Sequence, residues 1–378
     1  MKIGIDLLWL RPGCCGGSES VVRNLLTGFG TYDNTNEYIL FVGKDIVDAL
    51  KEYEKYANIK LHICNVESLK RIKRIAWENS NLDKLARSLG IEEMFIPVYS
   101  KPKSLSEKKG GIPYVTVIHD LQALHFPDYF KKYKVFFVKR KWKKACDESR
   151  AVVTISKYSM EDIKKNYPQV EGKISLIYDP IFLSEKAREG TLVNDSVFES
   201  VAKKYGIEKK KYYYTVSSML PHKNLATLIE TMKILKSENS NYKLVVSGVG
   251  GDRKEFNQRT IEAGVEDIVV DTKYVDDEER DILYANCSAF LFPSVFEGFG
   301  MPPIEAMELG VKVITTKKTS IEEVTQGKAY YVEDPMNASE WVKKIKEIEG
   351  EESKKYEFPE YSIETITKQY IQLLTSVN

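Results

Sequence analysis

The sequence lacks most features that would assign it to a specialised class. No stretch approaches the roughly 20 apolar residues that a transmembrane helix needs, and Asp6 interrupts the apolar start MKIGIDLLWL, which favours a buried strand over a signal peptide. The five cysteines are odd in number and include no zinc-type Cys-x-x-Cys pair, so we expect a reduced, cytoplasmic compartment. The formal net charge is +1 over 378 residues, so no global field favours nucleic acid or acidic partners. No nucleic-acid module is recognisable either.

What the sequence does have is a repeated alternation of short apolar runs and helical patterns, which is typical of a parallel α/β fold. The runs are nearly continuous in Val, Ile, Leu, Phe and Tyr, as expected for strands buried on both faces. In the first half the predicted strands are residues 2–8, 38–42, 59–64, 93–96, 114–118, 151–155 and 173–177. In the second half they are residues 212–217, 243–247, 267–270, 289–292, 312–315 and 329–332.

The alternation breaks between the two series, where residues 183–211 are polar and charged and the stretch EKAREGTLVNDS shows no core periodicity. We therefore predict two doubly wound, Rossmann-like domains joined near Asp179 and Pro180. Sheets of this kind bind ligands beyond the carboxyl ends of their strands, and two of them facing each other form an interdomain cleft. The loops that follow the strands therefore carry the candidate functional residues.

The most informative loop is FEGFGMPPIEAMELG, residues 296–310, in which Glu297 and Glu305 bracket a Gly-Phe-Gly and a Pro-Pro. Gly298 and Gly300 let a ligand approach the backbone closely, and the prolines suit a helix start. Free N–H groups at such a start attract anions, while the carboxylates can accept hydrogen bonds from sugar or ribose hydroxyls. The alternative is an ordinary helix N-terminus with acidic neighbours.

Three further strand-end loops carry candidates. Lys223 lies in SSMLPHKNL at a predicted helix start, where a lysine opposes the helix dipole and suggests an anionic ligand. Gly16 and Gly17 precede a helix that Ser18 can cap, although the GxGxxG spacing of dinucleotide sites is missing. His119 ends a buried strand in VTVIHDL, where a structural role and a catalytic role both remain open.

A basic stretch, KKYKVFFVKRKWKK at residues 131–144, has eight basic residues and no acid, with aromatic residues interleaved. Together with LKRIKR at residues 69–74, it suits an anionic membrane surface. The predicted contacts with a membrane or an acceptor are Lys139, Arg140, Lys141 and Trp142. The alternative is a solvated helix face, which charge runs usually are.

In these loops and the segments around them, the sequence resembles glycosyltransferase family 4, whose members are retaining enzymes of the GT-B fold. FPSVFEGFGMPPIEAMELG is similar to the family's E-x7-E signature. Six further segments match in the same order over nearly the whole chain: GGSE, VIHDL, VTISKYS, HKNL, LYANCSAFLFPS and SIEEV.

The resemblance implies roles for the loop residues. Glu297 would contact hydroxyls of the donor sugar, Glu305 would hold the ribose, and Lys223 would neutralise the diphosphate. His119 would lie near the reaction centre. The donor-binding set would be Gly16, Gly17, Ser218, Lys223, Glu297, Gly298, Phe299, Gly300, Met301 and Glu305, and the catalytic set His119, Lys223 and Glu297.

The sequence also departs from the family pattern. Ser217 and Ser218 stand where many members have a Gly-Arg pair, so fewer fixed charges face the diphosphate unless Arg11 or His222 compensates. Ile363 stands where a tryptophan is common. The resemblance implies an acceptor-binding domain at residues 1–182, a nucleotide-sugar-binding domain at 183–356, and a segment at 357–378 that crosses back onto the first.

The expected reaction is the retaining transfer of a hexosyl group, mannosyl or related, from a nucleotide-diphosphate sugar to a hydroxyl of a lipid-linked or polysaccharide acceptor. GDP-mannose, a UDP-hexose and a deoxysugar nucleotide stay open as donors. No Asp-x-Asp triplet is present, so we expect neither a metal ion nor another cofactor. The alternative from another class is a non-catalytic nucleotide-sugar-binding or scaffolding protein. The chain is expected at the inner face of the plasma membrane if the basic stretch binds lipid.

Overall fold

The computed structural model describes residues 1–14, 16–99, 102–103, 105, 110–192, 194–250 and 253–376. Contacts divide the chain into two compact units. The first is Met1–Ile181 with Pro359–Asn378, and the second is Phe182–Phe358.

Among the described residues, the first unit is built on a seven-stranded parallel sheet. Its strands are β1 (Lys2–Asp6), β2 (Glu37–Gly43), β3 (Ile59–Cys64), β4 (Glu93–Ile96), β5 (Tyr114–Val117), β6 (Ala151–Thr154) and β7 (Ile174–Leu176). Its α-helices up to the connection are α1 (Gly17–Tyr32), α2 (Arg71–Ser88), α3 (Gln122–His125), α4 (Lys132–Glu148) and α5 (Lys157–Asn166). The strand order β3-β2-β1-β4-β5-β6-β7 makes the carboxyl edge between β1 and β4 the topological switch point.

The second unit repeats this plan with a six-stranded parallel sheet in its described part. Its strands are β8 (Tyr212–Val216), β9 (Lys243–Ser247), β10 (Val269–Lys273), β11 (Ala289–Leu291), β12 (Val313–Thr316) and β13 (Tyr330–Val332). Its helices are α6 (Glu185–Arg188), α7 (Asp195–Tyr205), α8 (Leu225–Ser237), α9 (Lys254–Ala263), α10 (Asp277–Asn286), α11 (Met301–Glu308), α12 (Ile321–Val324) and α13 (Ala338–Glu347). The order β10-β9-β8-β11-β12-β13 puts its switch point between β8 and β11.

The last helix, α14 (Ile363–Thr375), belongs to the first unit, where it packs on α1. Gly28 of α1 makes the close approach possible, because a Cβ atom there would lie 1.9 Å from Thr367 Oγ1. The backbone N–H of Ile181 donates to Tyr361 O at 2.8 Å beside this helix.

The two parallel sheets confirm the predicted α/β fold class, and the predicted strands recur with small changes of their ends. Residues 183–211 differ from expectation, since they include α6 and α7. Phe198 and Val201 are buried on one face of α7. Together with Ala202 and Tyr205 they recur at helical spacing, so this part of the segment does carry an amphipathic pattern. Strand β10 begins later than predicted and includes an irregularity in register near Lys273.

Candidate functional site

The loops after β8 and β11 meet at the switch point of the second unit, and each brings one charged side chain there. Lys223 Nζ donates to Glu297 Oε1 at 2.7 Å and to Oε2 at 3.0 Å. The lysine side chain is 27% exposed and the glutamate side chain 12%, so both can be reached from solvent. A cation and a carboxylate thus lie together where doubly wound sheets bind ligands.

Lys223 is held by the turn on which it lies. It closes a 3-10 turn, Pro221–Lys223, and the next residue, Asn224, adopts a left-handed conformation with φ of 52° that leads into α8. The Asn224 side chain donates to Pro293 O at 3.3 Å and to Pro335 O at 2.7 Å. Asparagine tolerates this conformation better than most residues, and its amide ties the lysine turn to the neighbouring loop.

Glu297 is held by hydrogen bonds from a third strand-end loop. Its backbone N–H donates to Thr319 Oγ1 at 3.0 Å. The Ser320 hydroxyl lies 3.0 Å from Glu297 O and 2.8 Å from Phe299 O, and donates to these carbonyls. Ser320 is the first residue of the SIEEV segment, and its hydroxyl holds the loop that carries Glu297.

The glycine-rich part of that loop is buried in the protein. Gly298, Phe299 and Gly300 are buried, and Met301 begins α11. Gly300 has a φ of 101° and precedes the helix without a side-chain cap, so the start of α11 depends on a residue without a Cβ atom.

Glu305 lies in α11 and is only 7% exposed. The Tyr284 hydroxyl donates to Glu305 Oε2 at 3.2 Å, and Arg280 Nε lies 3.9 Å from the same oxygen. Burial raises the pKa of Glu305, and Arg280 opposes this shift. The Glu305 carboxyl is therefore oriented by the Tyr284 hydroxyl and lies beside the Arg280 guanidinium.

Arg280 is the site residue that sequence reasoning missed. It also pairs with Asp281, whose Oδ1 lies 2.9 Å from Arg280 Nη2. The backbone N–H of Ser184 donates to Asp281 Oδ2 at 2.7 Å. Only packing of α10 beside α11 brings Arg280 to Glu305, and no spacing in the sequence predicts it.

The suggestion that His222 replaces the missing arginine charge is wrong. Burial, followed by the charge of Lys223, lowers the pKa of His222 to about 4. The imidazole is thus neutral at pH 7. Ser218 is half-buried in the same loop and has a hydroxyl at the position where the resemblance to glycosyltransferase family 4 implies an arginine.

The remaining candidates lie in the first unit. Gly16 and Gly17 are exposed at the start of α1, and Gly16 has a φ of 54°. The predicted cap at Ser18 is wrong, because the helix already begins at Gly17 and Gly16 is the N-cap residue. His119 follows β5, and burial lowers its pKa to about 4, so its imidazole is neutral at pH 7.

The basic stretch forms α4, and its residues face different ways. Lys139 and Arg140 are exposed, as are Phe136 and Phe137 at 54% and 58%. Lys141 is half-buried. The prediction for Trp142 is wrong: it is 3% exposed and its ring centroid lies 5.7 Å from that of Tyr99, inside the core.

Among the described residues, no helix is long and apolar enough to cross a bilayer. No group of three or more His, Cys, Asp or Glu side chains in the described part of the chain is arranged to hold a metal ion.

Comparisons with known proteins place both units of the chain in a family. The sequence model described as Glycosyltransferase Family 4 matches residues 15–185, and that of Glycosyl transferases group 1 matches residues 197–365. The Anabaena protein HepE, solved in complex with UDP and glucose, superposes with a TM-score of 0.65 over 99% of this chain and 95% of its own at 17% identity.

Two relatives are named as O-antigen chain mannosyltransferases. O-antigen chain mannosyltransferase B of Escherichia coli is 31% identical over 58% of this chain and 57% of its own length. O-antigen chain mannosyltransferase RfbU of Salmonella typhimurium is 32% identical over 61% of this chain and 60% of its own. The chain thus spans about three fifths of the length of these relatives.

Two doubly wound sheets and these matches define a glycosyltransferase with the GT-B fold. The chain belongs to glycosyltransferase family 4.

Proposed function

We propose that the protein is a retaining transferase that moves a mannosyl or related hexosyl group from a nucleotide-diphosphate sugar to a hydroxyl of a lipid-linked or polysaccharide acceptor, without a metal ion. The observation that carries this proposal is the Lys223–Glu297 pair at the switch point of the second unit. Similarity to the O-antigen mannosyltransferases supports a mannosyl donor. The UDP in the HepE complex supports a nucleotide-diphosphate donor.

The ion pair suggests how the donor is received. A diphosphate competes with Glu297 for Lys223, so donor binding transfers the lysine from the carboxylate to the phosphate oxygens. Glu297 is then free to accept hydrogen bonds from the hydroxyls of the donor sugar. Before the donor binds, the Glu297 carboxylate neutralises Lys223 at the position that the diphosphate would occupy.

In the proposed reaction, the bond between the anomeric carbon and the phosphate oxygen breaks as the acceptor oxygen bonds to that carbon on the same face. The departing phosphate oxygen takes the acceptor proton, and Lys223 stabilises the negative charge that develops there. No protein nucleophile is needed. If intact-mass spectra showed a glycosyl adduct on Glu297, the reaction would proceed by a double displacement and this route would be wrong.

The first unit would bind the acceptor, with His119 near the reaction centre. Exposed Phe136, Phe137, Lys139 and Arg140 of α4 support docking on an anionic membrane. Such docking would put a cytoplasmic enzyme at the inner face of the plasma membrane, beside a lipid-linked acceptor.

The test is nucleotide release over a panel of GDP-mannose, UDP-hexoses and deoxysugar nucleotides, with lipid extracts as acceptors and with or without EDTA. We expect release with GDP-mannose that EDTA does not reduce, and an α product from an α donor by NMR. Lys223→Met should lower the rate by roughly 10²–10³. Lys233→Met, an exposed lysine of α8, is the matched control.

Unchanged kinetics in Lys223→Met would remove the lysine from the site. If no donor releases nucleotide even with lipid extracts, the alternative of a non-catalytic nucleotide-sugar-binding protein is favoured.

A further inference from the structure

We propose that Tyr284 and Arg280 are positioning residues for Glu305. They fix one oxygen of its carboxylate and leave the other to accept a hydrogen bond from a ribose hydroxyl of the donor nucleotide. The pair thereby makes the second unit selective for a ribose over a sugar that lacks these hydroxyls. This inference rests on the function proposed above, because it takes the ligand to be a nucleotide.

The two positioning residues lie on one face of α10, four positions apart, where side chains of a helix are neighbours. The helix packs beside α11, which carries Glu305. The Tyr284 hydroxyl donates to Glu305 Oε2 at 3.2 Å, and Arg280 Nε lies 3.9 Å from the same oxygen. The described residues donate no hydrogen bond to Oε1, so this second oxygen is available to a ligand.

Tyr284 is itself held in place by aromatic packing. Its side chain is fully buried, and its ring centroid lies 5.0 Å from that of Tyr214 and 4.9 Å from that of Phe290. These two neighbours come from the adjacent central strands β8 and β11. Both ring pairs have the edge-to-face arrangement that aromatic side chains prefer, so the Tyr284 hydroxyl is directed at Glu305 before any ligand binds.

Arg280 is held by two carboxylates of its own helix. Its Nη1 lies 2.9 Å from Asp277 Oδ1, and its Nη2 lies 2.9 Å from Asp281 Oδ1. Asp281 is fully buried, and its other oxygen accepts the backbone N–H of Ser184 at 2.7 Å. These contacts fix the guanidinium beside Glu305 at a distance too long for a hydrogen bond, so it acts on that carboxylate through its charge.

The electrostatic surroundings of Glu305 agree with this geometry. Burial raises the pKa of Glu305, and the charges of Asp281 and Asp277 add to that shift. Arg280 opposes the shift most strongly, and the Tyr284 hydroxyl opposes it further. Both positioning residues thus favour the ionised carboxyl, which accepts hydrogen bonds at each of its oxygens. A ribose hydroxyl that donates to it forms a charge-assisted hydrogen bond.

The carboxylate also lies where a ribose is expected. Glu305 is in the second turn of α11, which begins at the end of the loop that carries Glu297. That loop follows β11 at the switch point of the second sheet, where the Lys223–Glu297 pair lies. In a nucleotide-diphosphate sugar the ribose is joined to the diphosphate, so a ligand held at the pair has its ribose close by. The Glu305 side chain is largely buried, so a hydroxyl bound there leaves water.

Calorimetry on the full chain tests the inference by comparing GDP with dideoxy-GDP, which lacks both ribose hydroxyls, and UDP with dideoxy-UDP. The unaltered chain should bind the ribose form roughly tenfold or more tightly, as a hydrogen bond to a charged group implies. Tyr284→Phe removes only a hydroxyl and should lower this ratio severalfold, because the ribose form binds less well. The matched control is Tyr212→Phe, at a buried tyrosine whose hydroxyl donates to Leu283 O at 2.7 Å. It should leave the ratio unchanged.

Further variants show whether the two residues act through Glu305. Glu305→Gln should remove most of the ratio, and Tyr284→Phe added to it should change the ratio no further, since residues that act through one contact are not additive. Arg280→Lys keeps the charge and should retain more of the ratio than Arg280→Gln. Because Arg280→Gln leaves the buried Asp281 without its cation, its unfolding curve is recorded, and Tyr284→Phe decides the matter if this variant does not fold.

The inference would be overturned if Tyr284→Phe weakened both forms of the nucleotide equally or left the ratio unchanged. Equal binding of the ribose and dideoxyribose forms by the unaltered chain would overturn it too, as would failure of GDP and UDP alike to bind. A chain that selects ribose through these residues but transfers no sugar from any donor would refute only the proposed transfer.

Discussion

At the scale of single residues, Asp179 is a carboxyl buried in the first unit. This residue is 4% exposed, and its Oδ1 makes no hydrogen bond among the described residues. Burial raises the pKa of Asp179 to about 8. The raised pKa means that the folded protein keeps a proton that the unfolded chain releases above its ordinary pKa near 3.8.

This difference predicts a pH-dependent loss of stability. Below the pKa of the unfolded chain, Asp179 is protonated in both states and does not change the free energy of unfolding. Above that pKa, burial of Asp179 lowers the free energy of unfolding, and the loss grows with pH until the folded carboxyl also ionises near pH 8. Asp179→Asn should therefore raise the free energy of unfolding by a few kcal/mol, about 1.4 kcal/mol per pH unit of the interval crossed. The gain should be larger at pH 8 than at pH 5.

Urea unfolding followed by tryptophan fluorescence measures this effect, because Trp9, Trp77 and Trp142 lie in the first unit. Asp48→Asn, at an exposed position in the same unit, is the control. A gain for Asp179→Asn that does not depend on pH would mean that packing, and not ionisation, is responsible.

At the scale of elements, the contact of α1 with α14 depends on the absence of a side chain at Gly28. Alanine is normally better than glycine inside a helix by about 1 kcal/mol. Here the new Cβ would meet Thr367 Oγ1 at 1.9 Å and Thr367 Cβ at 3.0 Å, and Thr367 is fully buried. We expect Gly28→Ala to destabilise the protein by about 1–3 kcal/mol, as overpacking does.

The double variant Gly28→Ala/Thr367→Ala removes the shortest clash, so the two free-energy changes should not add. A coupling of at least about 0.5 kcal/mol in urea unfolding would agree with direct contact. Additive changes in the free energy of unfolding would mean that Gly28→Ala destabilises the protein by some means other than contact with Thr367.

Helices and strands could be predicted from the sequence where a local pattern of apolar residues determines their type and their ends. Buried parallel strands such as β4 and β9 show as continuous apolar runs, and their ends agree with the prediction. The prediction that Trp142 is exposed on α4 is wrong because it followed the basic residues and not the spacing of the apolar ones. Val135, Trp142 and Cys146 are buried at the spacing of one helical stripe, which predicts Trp142 in the core.

Pairings between distant segments could not be predicted in the same way. Lys223 and Glu297 were each predicted as ligand contacts, but their ion pair joins residues 74 positions apart. The Arg280–Glu305 contact likewise depends on how two helices pack. Strand-end position predicts which loops gather at one sheet edge, whereas side-chain partners depend on packing that one sequence does not encode locally.

At the scale of the whole molecule, a net charge of +1 conceals a local surface suited to lipid. Phe136 and Phe137 are exposed on α4, and Arg140 lies 5.2 Å from the centre of the Phe136 ring. Exposed aromatic residues beside cations are typical of interfacial helices. We therefore predict flotation of the chain with vesicles that contain anionic lipid, and little with neutral vesicles.

The variant Phe136→Ser/Phe137→Ser should lose most of this flotation, because it removes the apolar contacts and leaves the charges. Lys139→Gln/Arg140→Gln should weaken flotation because each basic residue contributes about 1 kcal/mol of attraction to anionic lipid. Added salt should weaken the binding further. Tyr274→Ser, at an aromatic residue that is 83% exposed in the second unit, is the control for general loss of exposed apolar surface. Equal flotation of all these proteins, or none by the unaltered chain, would mean that α4 presents a solvated helix face and that the acceptor is reached without a membrane.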